Sequence, residues 1–404
     1  MAMRCARELF AQICGRRILL AMQVAKLRHT FWRAHALVFT AAVVALSTVP
    51  ALRPVHAQGP AAAASNVVWQ MHDSGTTASL RGIHSVDGQI AWASGTGSTV
   101  LKTTDGGVHW ERCAIPDGEK DGATLDFRGV QAWDAHTAIV MASGPGEKSR
   151  LYKTTDGCKS WVVLLSNEDK DGFWDALRLW TQTDGFLAGD PVDGHPFLSE
   201  FTSWNGVVLD NTLYDLNATK GEGAFAASNS SIALAPFRTR DGASREAWLA
   251  TGGVSGSRVI HYQHFNGGEP ERCSTSIAAV GIFPKTANGG IFSIDFKGDR
   301  HGIAVGGDYA KPNDPTGTAA WSSDGGATWT ASTTPPHGYR STVQWSQSEK
   351  LWITAGTNGS DLSRDDGRTW QPLDKGNWNA LSLPFIVGPK GRIARLNPAT
   401  LPNP

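Results

Sequence analysis

Residues 103–110 read TTDGGVHW. An Asp followed by two glycines suits a tight turn. The carboxylate can accept hydrogen bonds from backbone N–H groups of its own turn, and glycine enters left-handed backbone without a Cβ clash. The closing Trp110 would bury a large ring beside that turn. Alone, the octapeptide could be a functional loop or the punctuation of a repeat, and recurrence decides between them. The pattern returns as TTDGCKSW at 154–161, SSDGGATW at 322–329 and SRDDGRTW at 363–370. Asp105, Asp156, Asp324 and Asp365, with Trp110, Trp161, Trp329 and Trp370, are therefore assigned structural places in a repeated unit.

A second unit recurs upstream of each box. It reads LRGIHSVDGQIAWASG at 80–95, FRGVQAWDAHTAIVMASG at 127–144, IFSIDFKGDRHGIAVGGD at 291–308 and STVQWSQSEKLWITAG at 341–356. Each copy is a short alternating strand, a polar turn, and a small-residue strand ending at glycine. WDALRLWTQTDGFLAGD at 174–190 and NALSLPFIVGPKG at 379–391 follow suit. GAFAASNSSIALAPF at 223–237 fits least well, with WLATGGVSG at 248–256 as its candidate second strand. Between Asp156 and Asp324 there is room for two units with decayed boxes, FTSWNGVV at 201–208 and HFNGGEP at 264–270 standing in the box positions.

These units predict an all-β fold: a seven-bladed β-propeller of four-stranded antiparallel blades over residues 67–398, with a tail at 399–404. The last unit has room for inner strands only. VVWQMHDSG at 67–75 resembles TWQPLDKG at 369–376, the segment after the last box. Val67–His72 is therefore expected to supply the missing outer strand of the final blade and close the ring.

Composition agrees with a turn-rich β protein: the 404 residues include 45 Gly and 16 Trp, and only 18% are charged. Residues 1–57 stand apart, with eight basic residues against the single acid Glu8. Their apolar run ALVFTAAVVALSTVPAL, from Ala36 to Leu52, precedes Val55-His56-Ala57, a small-x-small cleavage site. This reads as a signal peptide cleaved after Ala57, with Met22 as an alternative start and residues 58–66 as a linker. The expected destination is the periplasm or the outside of the cell, and no later segment is apolar enough to cross a membrane. Lys plus Arg and Asp plus Glu total 37 each, so removing the leader leaves a mildly acidic chain. With no basic stripe bearing aromatics, nucleic acid is not an expected partner. Of five cysteines, Cys113, Cys158 and Cys273 follow the leader. Cys113 and Cys158 fall on neighbouring repeats and could pair. No zinc-like Cys/His spacing occurs, and no metal or cofactor is expected.

At the Asp boxes and the Arg-Gly-Ile and Arg-Gly-Val starts, the chain resembles the BNR/Asp-box superfamily. Within it the closest likeness is to the photosystem II stability/assembly factor family and its non-photosynthetic bacterial relatives. The resemblance implies a seven-bladed exported propeller that binds a protein partner and assists assembly of an envelope or membrane complex, through an arginine-bearing face. A monomer with no catalytic residues is expected. The resemblance places the box on one face and function on the other. That second face would carry Arg81 and Arg128 at equivalent places, with Asp175, Arg178, Arg340 and Asn379. Asp190, Asp193, His195, Asp308 and Tyr309 come from its longer loops. A guanidinium is a planar fork for carboxylates. The rival is a sialidase-like or other secreted glycoside hydrolase, since those enzymes also carry Asp boxes. PFRTR at 236–240 is a poor substitute for their early arginine element, and the carboxylate pairs at hand, Asp190 or Asp193 with Asp308, are nonspecific.

Overall fold

Strands with small and β-branched residues facing both ways, each stopped by a Gly turn, have two faces to bury and pack blade against blade. The computed structural model describes residues 67–114, 124–202, 208–211, 216–235, 243–266 and 272–402. The leader, the linker, PFRTR and most of the loop at 116–126 lie outside the described residues, as do the turns within FTSWNGVV and HFNGGEP. The unit Val67–Asn266 with Cys273–Pro404 is a seven-bladed β-propeller of antiparallel sheets.

Blade 1 consists of Leu80–Ser85, Ala91–Gly95, Thr99–Thr103 and Glu111–Arg112, and blade 2 of Phe127–Ala132, Ala138–Ala142, Arg150–Thr154 and Val162–Ser166. Blade 3 is Trp174–Leu179, Asp184–Val192, His195–Thr202 and Val208–Asn211, and blade 4 is Ile232–Leu234, Ala243–Ala250, Ser257–Asn266 and Arg272–Val280. Both box-less segments thus fall between third and fourth strands, where the spacing puts them. Blade 5 is Gly289–Lys297, His301–Asp308, Ala319–Ser322 and Thr330–Ala331; blade 6 is Thr342–Ser346, Leu351–Gly356, Gly359–Ser363 and Gln371–Asp374. Blade 7 combines Ala380–Ser382, Phe385–Val387 and Ile393–Leu396 with the N-terminal Trp69–His72. That strand pairs antiparallel from Trp69↔Leu396 to His72↔Ile393, the expected closure.

Blade 5 departs from the four-stranded plan. Two short strands, Glu222–Gly223 and Gly252–Gly253, extend its inner edge. The link is Gly252 opposite Gly290, where a Cβ on Gly252 would lie 2.6 Å from the Gly290 Cα. Only a glycine pair lets these backbones meet.

The core is divided among the blade interfaces. Leu80, Ile83 and Ala93 of blade 1 pack against Phe385 and Val387 of blade 7. Trp92 packs against Phe127 and Val140 of blade 2, and comparable clusters fill the other junctions. A disulfide also joins blades 1 and 2, between Cys113 and Cys158, so the pairing left open by the sequence is made. Cys273 is exposed and lies outside this disulfide.

Each Asp box closes on itself. In the second, Thr154 Oγ1 donates to Asp156 Oδ1 (2.9 Å) and accepts from the Cys158 N–H (3.0 Å), while the Ser160 N–H and Oγ–H donate to Asp156 (3.1 and 2.6 Å). The third box repeats this with Ser322, Asp324, Gly326 and Thr328, and the fourth with Ser363, Asp365, Gly367 and Thr369. Cys158 occupies a glycine position at φ 68°, held there by its bond to Cys113.

Candidate functional site

A box joins the third and fourth strands of its blade, so by antiparallel order it lies at the opposite end from the start of the first strand. The first strands of blades 1, 2, 3 and 5 each carry a register shift near their start, spanning Arg81, Arg128, Asp175 and Phe292. A bulge turns its extra residue out of the ladder. All four side chains line one cavity of about 1010 Å³. Ser341 and Asn379, at the starts of blades 6 and 7, line it too. Part of its wall is the segment Glu222–Ala227, which begins with one of the two short strands added to blade 5.

Arg81 and Arg128 come together, as their matching repeat positions imply. Asp126, which sequence reading missed, stands between them: Arg81 Nε lies 3.3 Å from Asp126 Oδ1, and Arg128 Nε donates to Asp126 Oδ2 at 2.9 Å. Arg128 Nη1 also donates to the Ala226 carbonyl (3.2 Å), and its guanidinium lies 5.9 Å from the Phe173 ring centroid. One carboxylate shared by two guanidiniums leaves excess positive charge in this sector of the cavity. Burial lowers the Arg81 pKa, Asp126 works against that, and Arg128 adds to it. An incoming anion relieves the same penalty.

The adjoining sector is acidic. Asp175 is 2% exposed, and its Oδ2 has no hydrogen-bond partner among the described residues. Burial pushes its carboxyl well above the usual range; the Asp190 charge pushes the same way, against Arg128 and the Ala226 backbone N–H. Asp190 is also raised by burial and lowered by the Ala224 backbone N–H. An aromatic wall completes the cavity. Phe225 and Phe292 stack with centroids 3.8 Å apart, Tyr339 meets Phe292 edge-on at 4.8 Å, and half-exposed Tyr309 stands edge-on at 6.1 Å. Phe173, Phe225 and Phe292 escaped the sequence reading. Phe292 could have been found, since it aligns with Arg81 in the repeat.

The other expected residues lie elsewhere. Asp193 and His195 sit on the blade 3 hairpin and line an adjoining hollow of about 190 Å³, which shares Phe173 and Asp190 with the cavity; His195 Nδ1 lies 2.9 Å from the Leu216 carbonyl. Asp308 is buried beneath the rim, accepting from the Ala310 N–H (2.9 Å) and Thr286 Oγ1 (3.1 Å). Arg178 lies further along its strand, Nε to the Ile232 carbonyl at 3.5 Å, where burial lowers its pKa and Asp295 opposes that. Burial and Arg178 together push His84 down to about 4.

Arg340 requires a correction, because it does not face the cavity. It is fully buried, donating to Asp361 Oδ2 (2.6 Å), the Tyr339 carbonyl (2.6 Å) and Asn358 Oδ1 (2.5 Å). The residue at the Arg81 position of blade 6 is Ser341, one place on. Among the described residues no three His, Cys, Asp or Glu side chains group to hold a metal ion, and no helix is long and apolar enough to cross a membrane.

Among solved structures, the chain is similar to YCF48 bound to D1 peptide, with a TM-score of 0.51 at 16% identity over 81% of this chain and 96% of that one. It also aligns with YCF48 from Cyanidioschyzon merolae, with a TM-score of 0.39 at 17% identity over 82% of this chain and 100% of that one. No family model and no curated protein matches the sequence. The first likeness agrees, at the level of fold, with the resemblance carried by the Asp boxes.

Proposed function

We propose that this chain is an exported, non-enzymatic scaffold of the photosystem II assembly factor type, which binds a segment of a protein partner at the mouth of its channel. The observation that carries the reading is the sharing of Asp126 by Arg81 and Arg128 inside an aromatic-walled cavity. A peptide carboxylate can take the charge left over, with guanidinium donors already oriented by Asp126 and the Ala226 carbonyl. The YCF48 structure that holds a D1 peptide supports use of such a propeller for peptide binding. The Cys113–Cys158 bond supports an oxidising destination, as the leader implies.

The rival hydrolase would have to use Asp175 and Asp190, two carboxyls with raised pKa in one cavity. The sialidase pattern also needs a tyrosine nucleophile, which among the described residues could come only from Tyr309 and Tyr339 of the cavity's aromatic wall, since Tyr152 and Tyr262 are buried in blade packing. The test is pull-down with the mature protein and with an Arg81→Glu/Arg128→Glu double variant. It is paired with fluorescence anisotropy on an acidic peptide bearing a free C-terminal carboxylate. Charge reversal is expected to weaken peptide binding by at least about tenfold. Recovery of the same partners and equal peptide affinity from both proteins would remove the arginine site. Turnover of sialosides or polysaccharides would remove the scaffold reading itself.

A further inference from the structure

The arginines use only one sector of the cavity. Glu222 of the wall segment Glu222–Ala227 is consumed internally: it accepts from Arg258 Nε (2.8 Å), Thr251 Oγ1 (2.7 Å) and the Thr219 N–H (2.8 Å). Asp126 is neutralised by its ion pairs with Arg81 and Arg128. Asp175 and Asp190 are different. Both line the cavity beside the Glu222–Ala227 segment, whose Ala226 and Ala224 backbone N–H groups favour the charged forms of Asp175 and Asp190 respectively. The Asp190 charge acts on Asp175, and both carboxyls line the same cavity. The second oxygen of Asp175 is buried, lines the cavity and has no partner among the described residues.

A buried acceptor left without a donor costs on the order of 1–3 kcal/mol, more when it is charged. A protein that keeps one at a cavity wall has a place for a donor from outside. The charge pattern identifies that donor. The two carboxyls repel each other, and their burial disfavours ionisation; one cation between them relieves both penalties. The stacked Phe225 and Phe292 rings line the same cavity, giving the methylene stem of a lysine or arginine an apolar surface. Resting on the peptide-binding reading above, we propose that Asp175 and Asp190 form a second subsite, which takes a basic side chain of the bound segment while Arg81 and Arg128 hold its carboxylate. The partner segment then carries both an acidic and a basic group. A purely acidic peptide fills half of the cavity.

The test uses the mature full-length protein and separates the two subsites. n-Pentylammonium chloride is titrated at pH 8 while the backbone amides of Ala224 and Ala226 are followed by NMR, with n-pentanol as the uncharged control. Saturable shifts at these amides with the ammonium alone are expected. They should disappear in Asp175→Asn and in Asp190→Asn, which keep side-chain shape and whose folding is checked by thermal melts. They should persist in Arg81→Gln/Arg128→Gln. In parallel, two peptides with a free C-terminal carboxylate, one carrying lysine and one norleucine at the same position, are compared by anisotropy. The lysine peptide is expected to bind about tenfold more tightly, a preference erased by either Asn variant. Equal shifts from ammonium and pentanol, or equal affinity for the two peptides, would overturn the basic subsite while leaving the arginine site standing. If no carboxylate peptide binds but the ammonium does, the arginine reading fails and this subsite survives as a cation site alone.

Discussion

In every box one hydroxyl is both donor and acceptor, and one carboxylate gathers the N–H groups that the turn leaves over. The acid therefore works as a carboxylate and is lost as a carboxylic acid. At Asp156, hydrogen bonds from the Ser160 side chain and then its backbone pull the pKa from 3.8 down to about 2. A group depressed on folding contributes stability that is fully present above its unfolded pKa and is lost as pH falls through its folded pKa. The window here lies below pH 3.8 and closes near pH 2. Wild type and Asp156→Asn should therefore differ in melting temperature at pH 6, wild type higher, and the gap should shrink on acidification toward pH 2. A gap that does not vary with pH would mean that the carboxylate charge contributes nothing to the turn.

The bulged first strand is the element that makes the site. Its Arg-Gly sequence has a geometric reason in blade 1. A Cβ on Gly82 would lie 2.5 Å from Ser94 Oγ and 3.0 Å from the Arg128 carbonyl oxygen. The glycine thus lets the bulge of blade 1 lie against the bulge of blade 2 and sets the two arginines on either side of Asp126. Gly82→Ala should cost about 1–3 kcal/mol in urea unfolding, as small-to-large changes in packed sites do. It should also weaken acidic-peptide binding although no binding group is removed. Loss of stability at unchanged affinity would show that arginine placement does not depend on this contact. The element scale also separates what was legible from what was not. Repeat alignment alone marks Arg81 and Arg128, because equivalent places in equivalent strands face the same way. It misassigns Arg340, because blade 6 presents the next residue, Ser341, and a one-residue step moves a side chain to the other face. Asp126 precedes the strand by one residue, and Glu222–Ala227 reaches blade 5 across intervening chain. Neither relation has a period, and long-range pairing leaves no local trace in a sequence.

At the scale of the molecule, neighbouring first strands are stitched largely by side chains. Ala132 N–H donates to His84 Nδ1 (3.3 Å), Leu179 N–H to Gln131 (2.9 Å) and Leu177 N–H to Asn229 (2.7 Å). Ser230 Oγ meets Ser293 Oγ (2.8 Å), and Trp345 N–H donates to Asp295 (2.9 Å). Leu383 N–H donates to Gln344 (2.8 Å), and Ser85 N–H to Ser382 (2.9 Å). The circuit is complete on the inside, so the outer closure by Trp69–His72 decides whether blade 7 holds its place in the ring. Trp69 bears most of that closure. It is 2% exposed, donates from Nε1 to Ser360 Oγ of blade 6 (2.9 Å), and lies 6.1 Å from the Trp378 ring. Met71 on the same strand is 49% exposed. Trp69→Ala should cost about 3–5 kcal/mol, the range for an aromatic side chain deleted from a core. Met71→Ala should stay within about 0.5 kcal/mol, as exposed substitutions do. Both are read from urea unfolding followed by far-UV circular dichroism, so that the lost indole does not bias the signal. If the two variants unfold alike, the N-terminal strand is an appendage of blade 7, and the inner circuit of side chains holds the ring closed without it.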